Sequence, residues 1–132
     1  MKLVLSVNAL TAEDVTSELS RRLHIGFIFE DNYYQADDAS QAAISIQAIS
    51  ATIAIMENRG DDGNYRWQDE AKDFQYITSN NKKIKMDAPT VTRLNQTCAS
   101  YRSRLKLAAR DIKDRLLKGE KITNVQDDSL WK

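Results

Sequence analysis

Residues Asp87 to Gly119 read DAPTVTRLNQTCASYRSRLKLAARDIKDRLLKG, and this stretch decides the fold. Its apolar positions are Val91, Leu94, Cys98, Tyr101, Leu105, Ala108 and Ile112, alternating steps of three and four. That alternation is a heptad seam, which keeps one face of a helix against a partner along its length. Asp87 is placed to cap the helix, Pro89 falls in a first turn where a missing N–H is harmless, and Gly119 marks the stop. The expected helix, 88–118, would be roughly 45 Å long, against a diameter of roughly 36 Å for a compact chain of this length. It therefore overruns its own domain, bends, or lies along another chain. Protein-to-protein packing through Val91, Leu94, Tyr101, Leu105 and Ile112 is the expectation.

Upstream, two further helices and two hairpins follow from the same kind of reading. Thr11-Ala12-Glu13-Asp14 opens a helix over 12–24, with a Thr cap and acids where the helix dipole favours them. Gly26 ends it. Phe27-Ile28-Phe29 and Tyr33-Tyr34-Gln35 flank a polar trio and predict a hairpin over 27–35, with Asn32 taking the left-handed conformation of its loop. Asp38 with Gln41 has capping-box spacing and opens a helix over 39–58 that Arg59-Gly60 closes. Along that helix Ala39, Ala42, Ile46, Ile49, Ile53 and Met56 also step by three and four. Its opposite flank holds Ala43, Ala48, Ala51 and Ile55, so the helix is apolar on most of its girth. Such a helix is buried centrally or serves two interfaces at once. The expectation is that Ile46, Ile49 and Ile53 are core, with Ser45 or Glu57 outside.

A second hairpin is expected over 74–86, with Ser79-Asn80-Asn81 turning and lysines blunting the outer edge. Ahead of that hairpin Tyr65-Arg66-Trp67 leads into Gln68–Asp73, which reads as a short helix or turn. The fold class is thus α+β and mostly helical. A single domain over 1–119 with a protruding last helix is followed by a tail, 120–132. That tail is either disordered or an arm that hooks a neighbour with Trp131.

Composition narrows the function. The 132 residues carry no net charge, yet residues 1–80 hold 6 Lys/Arg against 13 Asp/Glu, a balance of −7, and residues 81–132 hold 13 against 6, a balance of +7. Such halves attract one another within a chain or between subunits. The basic half keeps nucleic-acid binding as the alternative reading, although acids interrupt the run at Asp111 and Asp114. No apolar run is expected to approach the roughly 20 residues that span a bilayer. Met1–Val7 reads as a strand or helix lead-in rather than a signal peptide, for want of a cleavage site. A lone cysteine fits a reducing compartment, and the cytoplasm is the expected site of synthesis.

The residues of familiar chemistry are sparse. His24 lies at a helix end beside Arg21 and Arg22, where a surface role is expected, and Cys98 falls on the seam as a small packing residue. One His and one Cys do not build a zinc site. Asp61, Asp62 and Asn64 lack the alternation and distal Glu of a calcium loop. The four glycines are isolated, so no phosphate cradle is expected. Trp67 and the tyrosines are expected as core and interface residues rather than a base-stacking platform. No catalytic residue, cofactor site or metal site is expected.

Gly26-Phe27-Ile28-Phe29, Tyr34-Gln35-Ala36-Asp37, Ser40-Gln41 and Ile44 resemble the opening of an uncharacterised domain in tailed-bacteriophage tail-fibre and tail-region proteins. Phe74, Tyr76, Asn80, Asn81, Ile84, Met86 and Asp87 are similar to its second block, and Ala109-Arg110 with Ile112-Lys113 to the end of its final helix. The likeness covers residues 20–117. The 61–73 segment is more elaborate than that pattern, and no fibre shaft is expected within these 132 residues. The resemblance implies a phage or prophage tail-region structural or assembly protein without catalysis. Its partner would be a tail or fibre protein of the bacterial host's phage, and its destination the virion tail. The two heptad stripes predict self-association as a dimer or trimer, isoleucine at both kinds of seam position in 39–58 leaning toward trimers or higher.

Overall fold

The computed structural model describes residues 9–132. The lead-in expected at Met1–Val7 lies outside the described residues. Thr11 opens the first helix, α1 (Ala12–Ile25), through a reciprocal cap. The Asp14 N–H donates to Thr11 Oγ1 at 3.2 Å, and the Thr11 N–H donates to Asp14 Oδ2 at 2.8 Å. Gly26 then takes φ +92°, and a Cβ there would lie 1.9 Å from the Tyr34 carbonyl oxygen. Only glycine fits that approach.

The first hairpin pairs β1 (Phe27–Phe29) with β2 (Asn32–Tyr34), Phe29 opposite Asn32. Its loop is therefore two residues long, and Glu30 and Asp31 carry the positive φ values, 47° and 69°. The left-handed role expected of Asn32 is corrected: a two-residue turn matching the strand twist needs positive φ at both central positions. The second hairpin pairs β3 (Gln75–Ile77) with β4 (Lys83–Lys85), and Asn81 supplies the left-handed residue of its turn at φ 65°. The backbone N–H of Ser79 donates to the Tyr33 carbonyl at 2.8 Å and so links the two hairpins.

Helix α2 (Asp38–Met56) is capped by Asp37, one residue before the expected Asp38, with the Ser40 N–H donating to Asp37 Oδ1 at 3.1 Å. Its stop is Asn58 at φ 62°, ahead of the expected Gly60. The Arg59 N–H reaches the Ala54 carbonyl and the Asn58 N–H that of Ile55, the paired bonds of a Schellman end. Helix α3 (Ala88–Leu117) ends in the same motif, with Gly119 at φ 86°. At its start Asp87 accepts from the Thr90 N–H at 2.9 Å and from the Gly63 N–H at 2.8 Å, which ties the 61–64 loop to the cap. Burial pushes the Asp87 carboxyl up, but the bonds from Gly63 and Thr90 outweigh it and hold the group below its usual range. The α+β, mostly helical class is as expected, with three helices and two hairpins.

The chain forms two compact units. One holds the described residues through Arg22 together with Arg102–Lys132, and the other holds Leu23–Tyr101. The expected division at residue 119 is corrected, because the tail belongs to the first unit. There the 3-10 turn Asp128–Trp131 buries Trp131, whose indole N–H donates to the Val125 carbonyl at 2.8 Å. The Arg22 guanidinium lies 5.1 Å from that ring centre and pairs with both Glu18 and Asp128. The expected arm reaching for a neighbour is instead folded home, because Arg22 gives it both a charge partner and a ring partner.

In the second unit the core is an aromatic chain. Trp67 meets Phe74 at 4.8 Å between ring centres, Tyr76 follows, then Tyr34 and Phe27, which stands 5.8 Å from Tyr101. Trp67 is irregular-loop sequence held by its indole bond to the Met86 carbonyl, and the Arg59 side chain donates to the Trp67 carbonyl. The Tyr65–Asp73 segment forms turns, not a helix.

Candidate association surface

The α2 helix has two apolar faces, and the described residues cover only one. Ile44, Ala48, Ala51 and Ala54 are buried. Ile46 and Ile49 are 64% and 62% exposed, Ile53 46% and Met56 75%. The expectation that Ile46, Ile49 and Ile53 form core is therefore corrected. Alanines on the opposite side let the helix backbone approach its neighbours closely, and that packing turns the branched stripe outward. Ser45, expected outside, is half-buried and donates to Asn95 Oδ1 on α3 at 3.2 Å, while accepting from Gln41 at 2.8 Å. On the flank Gln68 donates to Gln47 Oε1 at 2.6 Å. These bonds, with the Asp37 cap and the Asn58 stop, fix the rotation of α2 about its axis.

The outward stripe is a heptad seam in its own right. Between Asp38 and Glu57 no residue carries a charge, so the helix has no charged face opposite the seam. By length and composition α2 is long and apolar enough to cross a membrane, with a mean hydropathy of 1.4 over its window. That corrects the expectation that no segment approaches such a length. Monomeric soluble proteins rarely leave a contiguous apolar stripe of this kind open, and such stripes mark interaction sites. A smaller exposed pair, Ile28 opposite Tyr33, stands on the outer face of the first hairpin.

The residues expected to meet a partner have another place. Val91, Leu94, Leu105, Ile112 and Trp131 are all buried, and Tyr101 is half-buried against Phe27. As a partner surface the α3 seam is corrected: the chain's own packing occupies it. Cys98 is buried within it, as expected of a packing residue. Ile46, Ile49, Ile53 and Met56 stand instead on the outer face, in keeping with the alternative that this helix serves two interfaces at once. The signal was there, in the unbroken absence of charge from residue 39 to residue 56.

Many of the basic residues are paired. Arg110 binds Asp114 at 3.0 Å, Lys85 binds Asp73 at 3.1 Å, Arg93 faces Glu30 at 3.5 Å, and Arg115 pairs with Glu120. Acids interleaved at this spacing break up the continuous positive track that a phosphate backbone requires. His24 is exposed and stands 3.4 Å from the Gln35 amide. Among the described residues no three of His, Cys, Asp or Glu gather where they could hold a metal ion.

Residues 7–129 match the domain of unknown function DUF4376. The chain belongs to that family. No curated protein and no solved structure matches it.

Proposed function

We propose that this chain is a structural or assembly protein of a phage or prophage tail region, working by protein–protein association and without catalysis. The observation that carries the association is the uncharged isoleucine seam on α2, left open by the packing of the described residues. Burial of apolar side chains is the main driving force of association, and this seam concentrates four of them in one line. The tail setting rests on the likeness of the two aromatic blocks and of the final helix to tail-fibre and tail-region domains. In this reading the chain is made in the bacterial cytoplasm and joins the tail or a fibre there. The test is mass spectrometry of tail and fibre structures purified from lysates of the producing strain. Peptides of this chain, in fixed ratio to an identified tail or fibre protein, are expected. Their absence from every tail fraction, with the chain present in the lysate, overturns the reading.

A further inference from the structure

The α2 seam also constrains what covers it. Ile46 and Ile53 occupy one kind of heptad position, Ile49 and Met56 the other, and Ala42 extends the line toward the N-terminus. A stripe with this period fits another helix of the same period, knob into hole, along about 20 Å of length. The neighbouring positions Ser50 and Thr52 are neutral, so the seam lacks the charged rim by which helices select a different partner. Between Ala42 and Met56 a copy of itself meets no like-charge repulsion, the acids Asp37, Asp38 and Glu57 lying beyond the two ends of the seam. A membrane surface is the poorer fit. Helices that lie on lipid carry Lys or Arg on their polar face, whereas α2 has none, and its ends are acidic at Asp37, Asp38 and Glu57.

We propose that three copies of this chain pack α2 against α2, in parallel, around a threefold axis. The proposal deepens the association reading above and rests on it. Isoleucine at both seam positions disfavours a two-stranded coil and favours three strands or more, because β-branched side chains at the second position pack poorly in a dimer. The alanine face stays with its own unit, so each chain offers one seam, and a closed ring of three uses all of them.

Sedimentation equilibrium of the full chain, from low to high micromolar, tests this. The expected result is a mass rising from the 15.0 kDa of one chain to a plateau at three times that value. Ile49→Lys, at an exposed position, should keep the same circular dichroism and stay at one chain throughout. Ile46→Cys should cross-link to its own counterpart on oxidation, whereas the wild type, whose Cys98 is buried, should not. A wild-type mass fixed at one chain, or a plateau at two, overturns the trimer. A trimer that survives Ile49→Lys overturns the α2 seam, and an Ile46→Cys trimer that does not cross-link overturns the parallel order. Binding of the monomer to phosphatidylcholine–phosphatidylglycerol vesicles, abolished by Ile49→Lys, would give the seam to lipid instead. Failure of the tail reading is distinct: a trimer absent from tails retires the setting alone, and a monomer found on tails retires the trimer alone.

Discussion

Helices α2 and α3 carry the same three-and-four apolar step, yet among the described residues one seam is buried and the other lies open. Along α3 the faces away from the seam hold Arg93, Arg104, Lys106, Arg110 and Lys113, which solvent accommodates at no cost, so the seam turns inward. Along α2 the face away from the seam holds Ala48, Ala51 and Ala54, which are also apolar and smaller. When both faces of a helix are apolar, close packing favours the one that lets backbones approach. The heptad period says that a helix has a partner. The chemistry of its other side decides whether that partner is its own chain.

The comparison breaks first at Leu105. It is buried on the α3 seam, and Leu105→Ala should cost about 2–5 kcal/mol in urea unfolding. A loss under about 0.5 kcal/mol would mark a surface position and dissolve the contrast between the seams. Next comes the covered face of α2. Ala51 is fully buried, so Ala51→Leu should overpack and cost about 1–3 kcal/mol, measured the same way. A neutral result would mean that the alanine face is not the packed one.

The third prediction asks whether Trp131, once a candidate hook, is held at home. Arg22, which covers its ring, is oriented by the buried Glu18 carboxylate, bonded at 2.7 Å. The Arg21 side chain chiefly, aided by Arg22 and against the effect of burial, holds the Glu18 carboxyl below its usual range. A carboxylate depressed in the folded state contributes stability above its unfolded value of about 4.3, and that contribution is lost as pH falls toward the folded value. Glu18→Gln should therefore cost about 1–3 kcal/mol at pH 7 and flatten the loss of stability in acid. An unchanged acid limb would remove Glu18 from the account. The smallest effect belongs to the open seam, where Ile49→Lys should change the unfolding free energy of the dilute chain by no more than about 0.5 kcal/mol.

Much of the fold was legible because local chemistry writes it. Thr11, Asp87 and Gly119 stand where their side chains or backbone freedom are needed, and the helix ends fall within about two residues of expectation. The misses are instructive. Asp37 and Asp38 are interchangeable as caps in sequence, and only the observed Ser40 bond chooses between them. Glu30 at positive φ carries no composition signal, so the turn was assigned to Asn32. The tail was misread because the Arg22–Trp131 pairing joins residues far apart in the chain. The association surface was half legible: the period and the lack of charge named the residues, but nothing local tells Ile49 from Ala51 as the one that faces out.

Two native methionines put the central claim to its most direct test. Met56 lies on the open α2 seam at 75% exposure, and Met86 is 1% exposed in the core of the same unit. Peroxide converts an accessible thioether to the sulfoxide, and peptide mass spectrometry resolves the two sites. In dilute protein Met56 should oxidise many times faster than Met86, and its rate should fall as concentration rises and the seam is covered. Equal slow rates in dilute protein would place the α2 seam inside a single chain, and a Met56 rate independent of concentration would show that no copy covers it.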